Sequence, residues 1–453
     1  MARPIKLGVI GAGSAEFSVG LVKDICLTPS LCGSSVVLMD VDAERAETMH
    51  RFAERYADEL GAGATFTWSA NREAALEDAD FVINTAQIGG HAQVERLRAW
   101  SESQGYYRGF KLWTIIQSRF MLSVAQDMER LCPDAWLIQA SNPVFEGCTT
   151  MTRATSIKVC GLCHGHGGEH TIARVIGLNP SKVKGTSVGF NHEIWLTQFE
   201  YEGEDAYPLL DEWIETKSEA YWESYRPSYG ENQMSPAAIE LYKLTGLMPI
   251  GDTPRNGGWW LHQDLETKRR WYGHLGGFDS EIGWEQYLEA GQERVAKIHA
   301  AVNDTAAKLT ALYPPKHTGE QHFPLIDALW NDNEVTLQVN VPNRGAIEGI
   351  PDDVVVELPA ICSHRGIQPL HVGRLPEVLM RTQLGPRLDQ AEQIVSMSRH
   401  PDERVLLRMI LDDHRTQSWD QAVAFLRGIR TRPEFAEITA AMTRAKHPFS
   451  VFP

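Results

Sequence analysis

The first half of the chain alternates short apolar runs with amphipathic stretches. Segments 6–10, 36–39, 81–85, 135–139 and 158–162 are apolar and partly β-branched, each the length of one strand. Between them, 43–60 and 117–131 carry apolar residues at helical spacing. Alternating strands and helices predict right-handed βαβ units and a parallel sheet covered on both faces. Ligands of such sheets bind beyond the carboxyl ends of the strands. After about Asn191 the pattern changes. Segments 194–201, 334–341 and 354–358 look antiparallel, and 286–312 and 378–397 are long helical tracts. The expected fold is α/β: a Rossmann-type doubly wound parallel sheet over residues 1–195, then an α+β domain over 196–453. No repeat, low-complexity tract or linker separates the halves. An active site between them is therefore expected, with substrate binding and oligomerisation assigned to the second half.

Composition narrows the function classes. At 453 residues the chain exceeds one ordinary core. Its 43% hydrophobic and 23% charged content is that of a globular protein in water. Lys+Arg 43 against Asp+Glu 59 gives a net charge of −16, which opposes non-specific nucleic-acid binding and docking to anionic lipid. A local positive pocket for a small anion stays compatible with that balance. The apolar run 5–10 is too short for a signal sequence, and no segment approaches the roughly 18 apolar residues of a membrane span. The cysteines (Cys26, Cys32, Cys132, Cys148, Cys160, Cys163, Cys362) lack disulfide-framework spacing. A cytoplasmic setting with no membrane or nucleic-acid partner is expected.

Gly11-Ala12-Gly13-Ser14 follows the first strand and precedes a helical pattern from about Phe17. Glycines there allow a tight turn and close approach of a pyrophosphate to the positive end of a helix. The third glycine of G-x-G-x-x-G is replaced by Glu16, so the motif alone is weak. Context strengthens it. The second strand ends in Asp40, with Asp42 just after, where a carboxylate would bind ribose hydroxyls and favour NAD over NADP. Asp40 could equally cap a helix. The third run ends in Asn84-Thr85-Ala86-Gln87-Ile88-Gly89-Gly90, a further small polar loop at the same sheet edge. Gly11, Gly13, Ser14, Asp40, Asn84 and Thr85 are the candidate NAD-binding residues.

Three further loops do not belong in a simple dehydrogenase: 140–146 with Asn142, 161–168 with Cys163, His164 and His166, and 188–193 with His192. A thiolate and an imidazole from Cys163 and His192 would hold a divalent metal and leave positions open for substrate oxygens. Taken singly, Cys163 could be a small buried hydrophobe and His192 a structural histidine. His164 and His166 are open between substrate contact, support of the ligands and plain loop residues.

Together, Gly11-Ala12-Gly13-Ser14 with Asp40, Asn142-Pro143, Cys163-His164-Gly165 and Asn191-His192 resemble glycoside hydrolase family 4. The resemblance continues through 204–209, 234–237, 249–253 with Arg255-Asn256-Gly257, and 351–354. These segments look like the branch that includes α-galacturonidases, with NAD-dependent sulfoquinovosidases as a related group. Such a resemblance implies an oxidation–elimination route outside ordinary carboxylate-pair hydrolysis. NAD oxidises C3 of the sugar, a metal-polarised ketone makes the C2 proton removable, the C1 group leaves, water adds and the hydride returns. It implies Cys163 and His192 as ligands of a divalent metal, Mn²⁺ by family expectation, and Asn142 as a contact to sugar hydroxyls. It further implies a tyrosine as C2 base, for which Tyr242 on a predicted helix 236–244 is the best match, and a homodimer or homotetramer.

Asp252 and Arg255, in a Gly-rich loop, read either as part of the pocket, with Asp252 a candidate catalytic group, or as a turn aspartate and surface arginine. Relatives often carry an acid just after the stretch that here reads Gly105-Tyr106-Tyr107-Arg108-Gly109, whereas this chain has Phe110-Lys111. That departure puts the leaving-group acid in doubt and places a cation where an anionic sugar could be read. Arg108, Lys111, Arg255 and His322 are the candidates to clamp a carboxylate or sulfonate, beside Asn142 and His164 as substrate residues. The expected substrate is an α-glycoside of an acidic hexose, a sulfoquinovoside or a galacturonide. The rival readings are an NAD-dependent 2-hydroxyacid dehydrogenase, which has no need of the Cys163 and His192 pair, and a non-catalytic NAD-sensing protein.

Overall fold

The computed structural model describes residues 3–15, 17–163, 165–447 and 449. Its six N-terminal strands are β1 (Lys6–Ile10), β2 (Ser35–Met39), β3 (Thr65–Ser69), β4 (Phe81–Asn84), β5 (Trp136–Gln139) and β6 (Lys158–Gly161). All pair in parallel, in the order β3-β2-β1-β4-β5-β6. This is the order of a dinucleotide-binding doubly wound sheet, whose ligand crevice opens where the order reverses, between β1 and β4. Burial explains the short apolar runs: every residue of β4 and all but the first of β1, β5 and β6 are buried, as a strand covered on both faces requires. The helix Ala43–Leu60 starts where the Asp42 side chain accepts the Arg45 amide, and stops at Gly61 in the left-handed region.

The second half adds β7 (Val183–Phe190), β8 (Glu193–Tyr201), β9 (Glu204–Asp205), β10 (Met248–Ile250), β11 (Val335–Pro342), β12 (Val355–Ser363) and β13 (Gly366–Pro369). These strands extend the same sheet edgewise, β6-β11-β12-β7-β8-β10, all with antiparallel pairing. The hairpin β11–β12 thus wedges between β6 and β7, which are neighbours in sequence. Segment 188–193, expected as a loop, is instead the end of β7, a tight Asn191–His192 turn and the start of β8. Buried Val188 and Phe190 hold the strand in place.

Two long tracts are less regular than their pattern implied. The helix expected over 286–312 runs Glu281–Asn303, then breaks before a short turn Leu309–Leu312. The tract 378–397 leaves the short helix Glu377–Leu379 through a π-helical turn, Met380–Leu384, before the helix Gly385–Arg399. A second apolar cluster joins the start of the helix Leu112–Leu131 to the helices Glu403–Asp412 and Trp419–Ile429. A third covers β7 and β8 with the helices Gly168–Ile176, Tyr207–Thr216 and Pro236–Thr245. Among the described residues no helix is long and apolar enough to cross a membrane.

Candidate active site

The glycine turn is built as the sequence implied. Gly11 has φ +86, and a Cβ there would lie 2.6 Å from the Ala86 backbone. At Gly13 a Cβ would strike the Asp40 carboxylate at 2.7 Å, and the Gly13 amide donates to that carboxylate at 2.9 Å. Asp40 also accepts the Asp42 amide at 2.9 Å, so it pins the turn while remaining on the cleft wall. The Thr85 hydroxyl donates to the Ile10 and Gly11 carbonyls at 3.1 and 3.0 Å, tying β4 to the same turn. The following helix, Ser18–Cys26, has no side-chain cap and no acid in its first turn, which leaves its positive end open to an anion. Glu16, noted as the missing third glycine, lies outside the described residues.

A cleft of about 1790 Å³ opens on Gly11, Gly13, Ser14, Asp40 and Thr85 and reaches Asn142. Its opposite wall comes from the second half, Tyr287 to His299 of the helix Glu281–Asn303. Asn84 does not line it. This side chain is fully buried and donates to Gln139 at 2.9 Å, bracing β4 against β5. Size, glycine approach and carboxylate placement fit a dinucleotide.

Cys163 leaves the end of β6, and His192 sits in the two-residue turn between β7 and β8 with φ +63, a left-handed conformation uncommon for a side-chain-bearing residue. The turn is held by Asn191 to Glu357 at 2.9 Å and by Asn256 to the His192 carbonyl at 3.1 Å. Cys163 Sγ lies 3.5 Å from His192 Nε2, and Asp252 Oδ2 lies 3.4 Å from the same nitrogen. A sulfur and an oxygen thus stand beside the same imidazole nitrogen, while among the described residues no group of three or more His, Cys, Asp or Glu is placed to hold a metal ion. Burial lowers the His192 pKa against the opposing pull of Asp252, favouring the neutral imidazole a metal requires. It pushes the Cys163 thiol up to about 12, with Glu357 and Asp252 adding to the rise. A cation between them would reverse that effect, since thiolate ligation and deprotonation are linked. The pair fits a divalent ion with positions left open.

Asp252 starts a loop that Thr253 clamps to β8, through Ile194 N to Thr253 Oγ and Thr253 Oγ to Ile194 O, both 2.9 Å. Gly251 precedes it with φ +62, where a Cβ would lie 2.3 Å from the Gly165 carbonyl. That contact draws the Cys163 loop and the Asp252 loop together. Arg255 grips Asp252 with two bonds (2.6 and 3.1 Å) and reaches Asp279 at 2.7 Å. Burial alone would raise the Asp252 carboxyl; Arg255 and His192 outweigh it and hold it below its ordinary value. Asp279, in the loop after Gly276-Gly277-Phe278, is not evident from the sequence pattern, and the glycine pair is its one visible signal.

The remaining candidates are scattered. Arg108, with φ +55, donates from Nε to the Asp279 carbonyl at 2.9 Å, and one of its terminal nitrogens is buried with no partner among the described residues. Lys111 donates to Gln390 at 2.5 Å and neighbours Arg387, Glu146 and Glu193. Tyr242 is not brought to this spot: its hydroxyl donates to Asp211 at 2.7 Å and its ring stacks on Tyr207. Helix 236–244 was readable, but the face its tyrosine turns to was decided by Asp211 on another helix. His322 is buried at the head of the helix His322–Asn331. The His166 ring lies 3.0 Å from the Cys163 carbonyl, beside the thiol rather than in its place. His164 lies outside the described residues.

The chain is similar to known proteins over most of its length. The family 4 glycosyl hydrolase profile matches residues 6–178, and that of the family 4 glycosyl hydrolase C-terminal domain matches 187–416. An alpha-galactosidase of Bacillus subtilis is 24% identical over 427 residues, 90% of this chain and 93% of that protein. An alpha-galacturonidase of Thermoanaerobacter italicus is 24% identical over 431 residues, 90% and 91% of the two chains. Among solved structures, a 6-phospho-alpha-glucosidase from gut microorganisms, in complex with NAD and Mn²⁺, superposes with a TM-score of 0.76 at 18% identity, covering 98% of this chain and 100% of that one. The chain belongs to the family 4 glycosyl hydrolases.

Proposed function

We propose that this family 4 glycosyl hydrolase uses NAD and a divalent metal to cleave α-glycosides of an acidic hexose, a sulfoquinovoside or a galacturonide. The observation that carries the reading is the placement of Cys163 and Asp252 beside His192 at the carboxyl edge of a sheet that also presents the glycine turn. NAD held at Gly11, Gly13, Ser14, Asp40 and Thr85 would take a hydride from C3 of the sugar and later return it, and Mn²⁺ held by Cys163 and His192 would polarise the C3 carbonyl. The structure's own groups have separate tasks. Asn142, exposed on the cleft wall, meets sugar hydroxyls. Asp252, kept ionised by Arg255, is at hand to accept a proton beside the metal pair. Tyr242, tied to Asp211, is not assigned as the base.

The acidic substrate rests on the cations around this spot. Arg255 and Lys268 stand near the Asp279 carboxylate, while Arg108 donates to the Asp279 backbone carbonyl and keeps an unsatisfied buried nitrogen. Both NAD and Mn²⁺ are named in the related 6-phospho-alpha-glucosidase complex, and alpha-galacturonidases are among the relatives. A homodimer or homotetramer is the proposed assembly.

The test follows 4-nitrophenol release from the α-sulfoquinovoside, α-galacturonide and α-glucoside by reduced enzyme, with NAD⁺ and Mn²⁺ present or omitted in turn. Release from an acidic glycoside that needs both additives, without net NADH, is the expected result. Preference for the α-glucoside would refute the acidic substrate. Steady NADH formation with a 2-hydroxyacid and no glycoside cleavage would refute the proposed chemistry.

A further inference from the structure

Cys163 and His192 come from strands that do not touch. β6 and β7 are separated in the sheet by β11 and β12, and each seam is a single bridge. One bridge joins Gly161 of β6 to Asn340 of β11, and the other joins Glu357 of β12 to Gly189 of β7. Asn340 and Glu357 are themselves directly opposite each other in the β11–β12 ladder. The four residues therefore form one lateral row, Gly161–Asn340–Glu357–Gly189. Cys163 follows one end of the row by two residues, and His192 follows the other by three. Whatever fixes the row fixes the separation of the thiol from the imidazole.

Its inner members are polar and buried, each 1% exposed. Asn340 donates to the Gly161 carbonyl at 3.4 Å, while Glu357 accepts the Asn191 side chain at 2.9 Å. Each thus reaches outward to a segment that carries one donor. Gly161 is part of the fit: a Cβ there would lie 2.9 Å from the Asn340 Cβ and 2.4 Å from Val144. A buried carboxyl that only filled space would cost free energy that an apolar side chain would not. Here it supplies the acceptor that holds Asn191 and, through it, the left-handed His192.

We infer that Glu357, opposite Asn340, is a positioning residue for the metal pair: it sets the turn that presents His192 to Cys163. The inference rests on the reading of Cys163 and His192 as metal ligands. Groups that orient metal ligands from behind change affinity about 10–100-fold when removed.

The experiment titrates the reduced, metal-free full chain with Mn²⁺ alone, free Mn²⁺ being read by electron paramagnetic resonance, and in parallel titrates NAD⁺ by calorimetry. Glu357→Ala is expected to weaken Mn²⁺ binding about tenfold or more. NAD⁺ affinity should stay within about threefold, because the glycine turn is built from other strands. Glu357→Gln retains an oxygen that can accept from Asn191 and is expected to restore most of the Mn²⁺ affinity. Should Glu357→Ala fail to fold, Asn191→Ala removes the same hydrogen bond from the other side and carries the same expectation. Unchanged Mn²⁺ affinity in the folded variants overturns the inference alone, as does equal loss of Mn²⁺ and NAD⁺ binding. Absence of Mn²⁺ binding by the unaltered protein overturns the metal reading and the inference with it.

Discussion

Two ionic networks lie near the Asn191–His192 turn, and they resolve the same problem differently. In one, Arg255 lies between Asp252 and Asp279, with direct bonds to both. In the other, Arg387 lies between Glu146 and Glu193, with Lys111 nearby. Burial would raise every one of these carboxyls. Asp252, Asp279 and Glu146 are nevertheless held below their ordinary values, first by the charge of the arginine each one touches, with Lys268 and Arg98 adding to it at Asp279. Glu193 stands 3.7 Å from the Arg387 Nε, too far for a hydrogen bond, and burial pushes it up to about 7. The lesson is that the charge of a touching arginine can outweigh burial, whereas at 3.7 Å, and with Glu146 opposing it, the same charge does not.

Exposure then decides how much each network matters to stability. The carboxylates around Arg387 are 3% exposed, whereas Asp252 and Asp279 are 30% and 35% exposed. Arg387→Met should therefore do the greatest damage, a loss of about 3–5 kcal/mol, because two carboxyls are stranded away from water. Arg255→Met should cost less, about 1–3 kcal/mol after allowance for solvent reaching both aspartates. Urea unfolding of the two variants measures both, and equal losses would dissolve the distinction. A third effect, confined to alkaline pH, concerns Lys111. Burial, aided by Arg387 and opposed by Glu146 and Glu193, lowers its pKa from 10.5 to about 8. Below pH 8 the folded state carries this charge at a cost. Between about 8 and 10.5 the unfolded chain binds the extra proton, so the lysine's contribution to stability rises with pH. The urea midpoint of the unaltered protein relative to Lys111→Met should accordingly rise over that interval; a flat difference would show Lys111 to be solvated.

How much of this could be read from the sequence depended on the range of the forces involved. β1 and the helix Ala43–Leu60 follow from local periodicity alone, although the residue that caps the helix is Asp42 and not Asp40. β3 escaped because it is an edge strand that buries only Phe66, leaving no apolar run to notice. The Cys163 and His192 loops were legible as polar segments after apolar ones. Glu357, Asn340, Arg387 and Asp279 were not, since their meaning lies in partners far away along the chain, Asn340 and Gly161 being 179 residues apart. Tyr242 shows the same limit from the other side: residue type and helix were visible, but the orientation was set by Asp211.

The wedge of β11–β12 between β6 and β7 also orders events during synthesis. A ribosome that has released β6, β7 and β8 has made both donor-bearing segments, yet the slot that spaces them stays empty until residues 335–363 emerge. Domains that close on themselves can finish folding as they appear, whereas here the strands of the glycine turn precede the hairpin that spaces the thiol–imidazole pair. A nascent chain thus contains the glycine turn and its flanking strands before it contains the hairpin that sets the distance between Cys163 and His192.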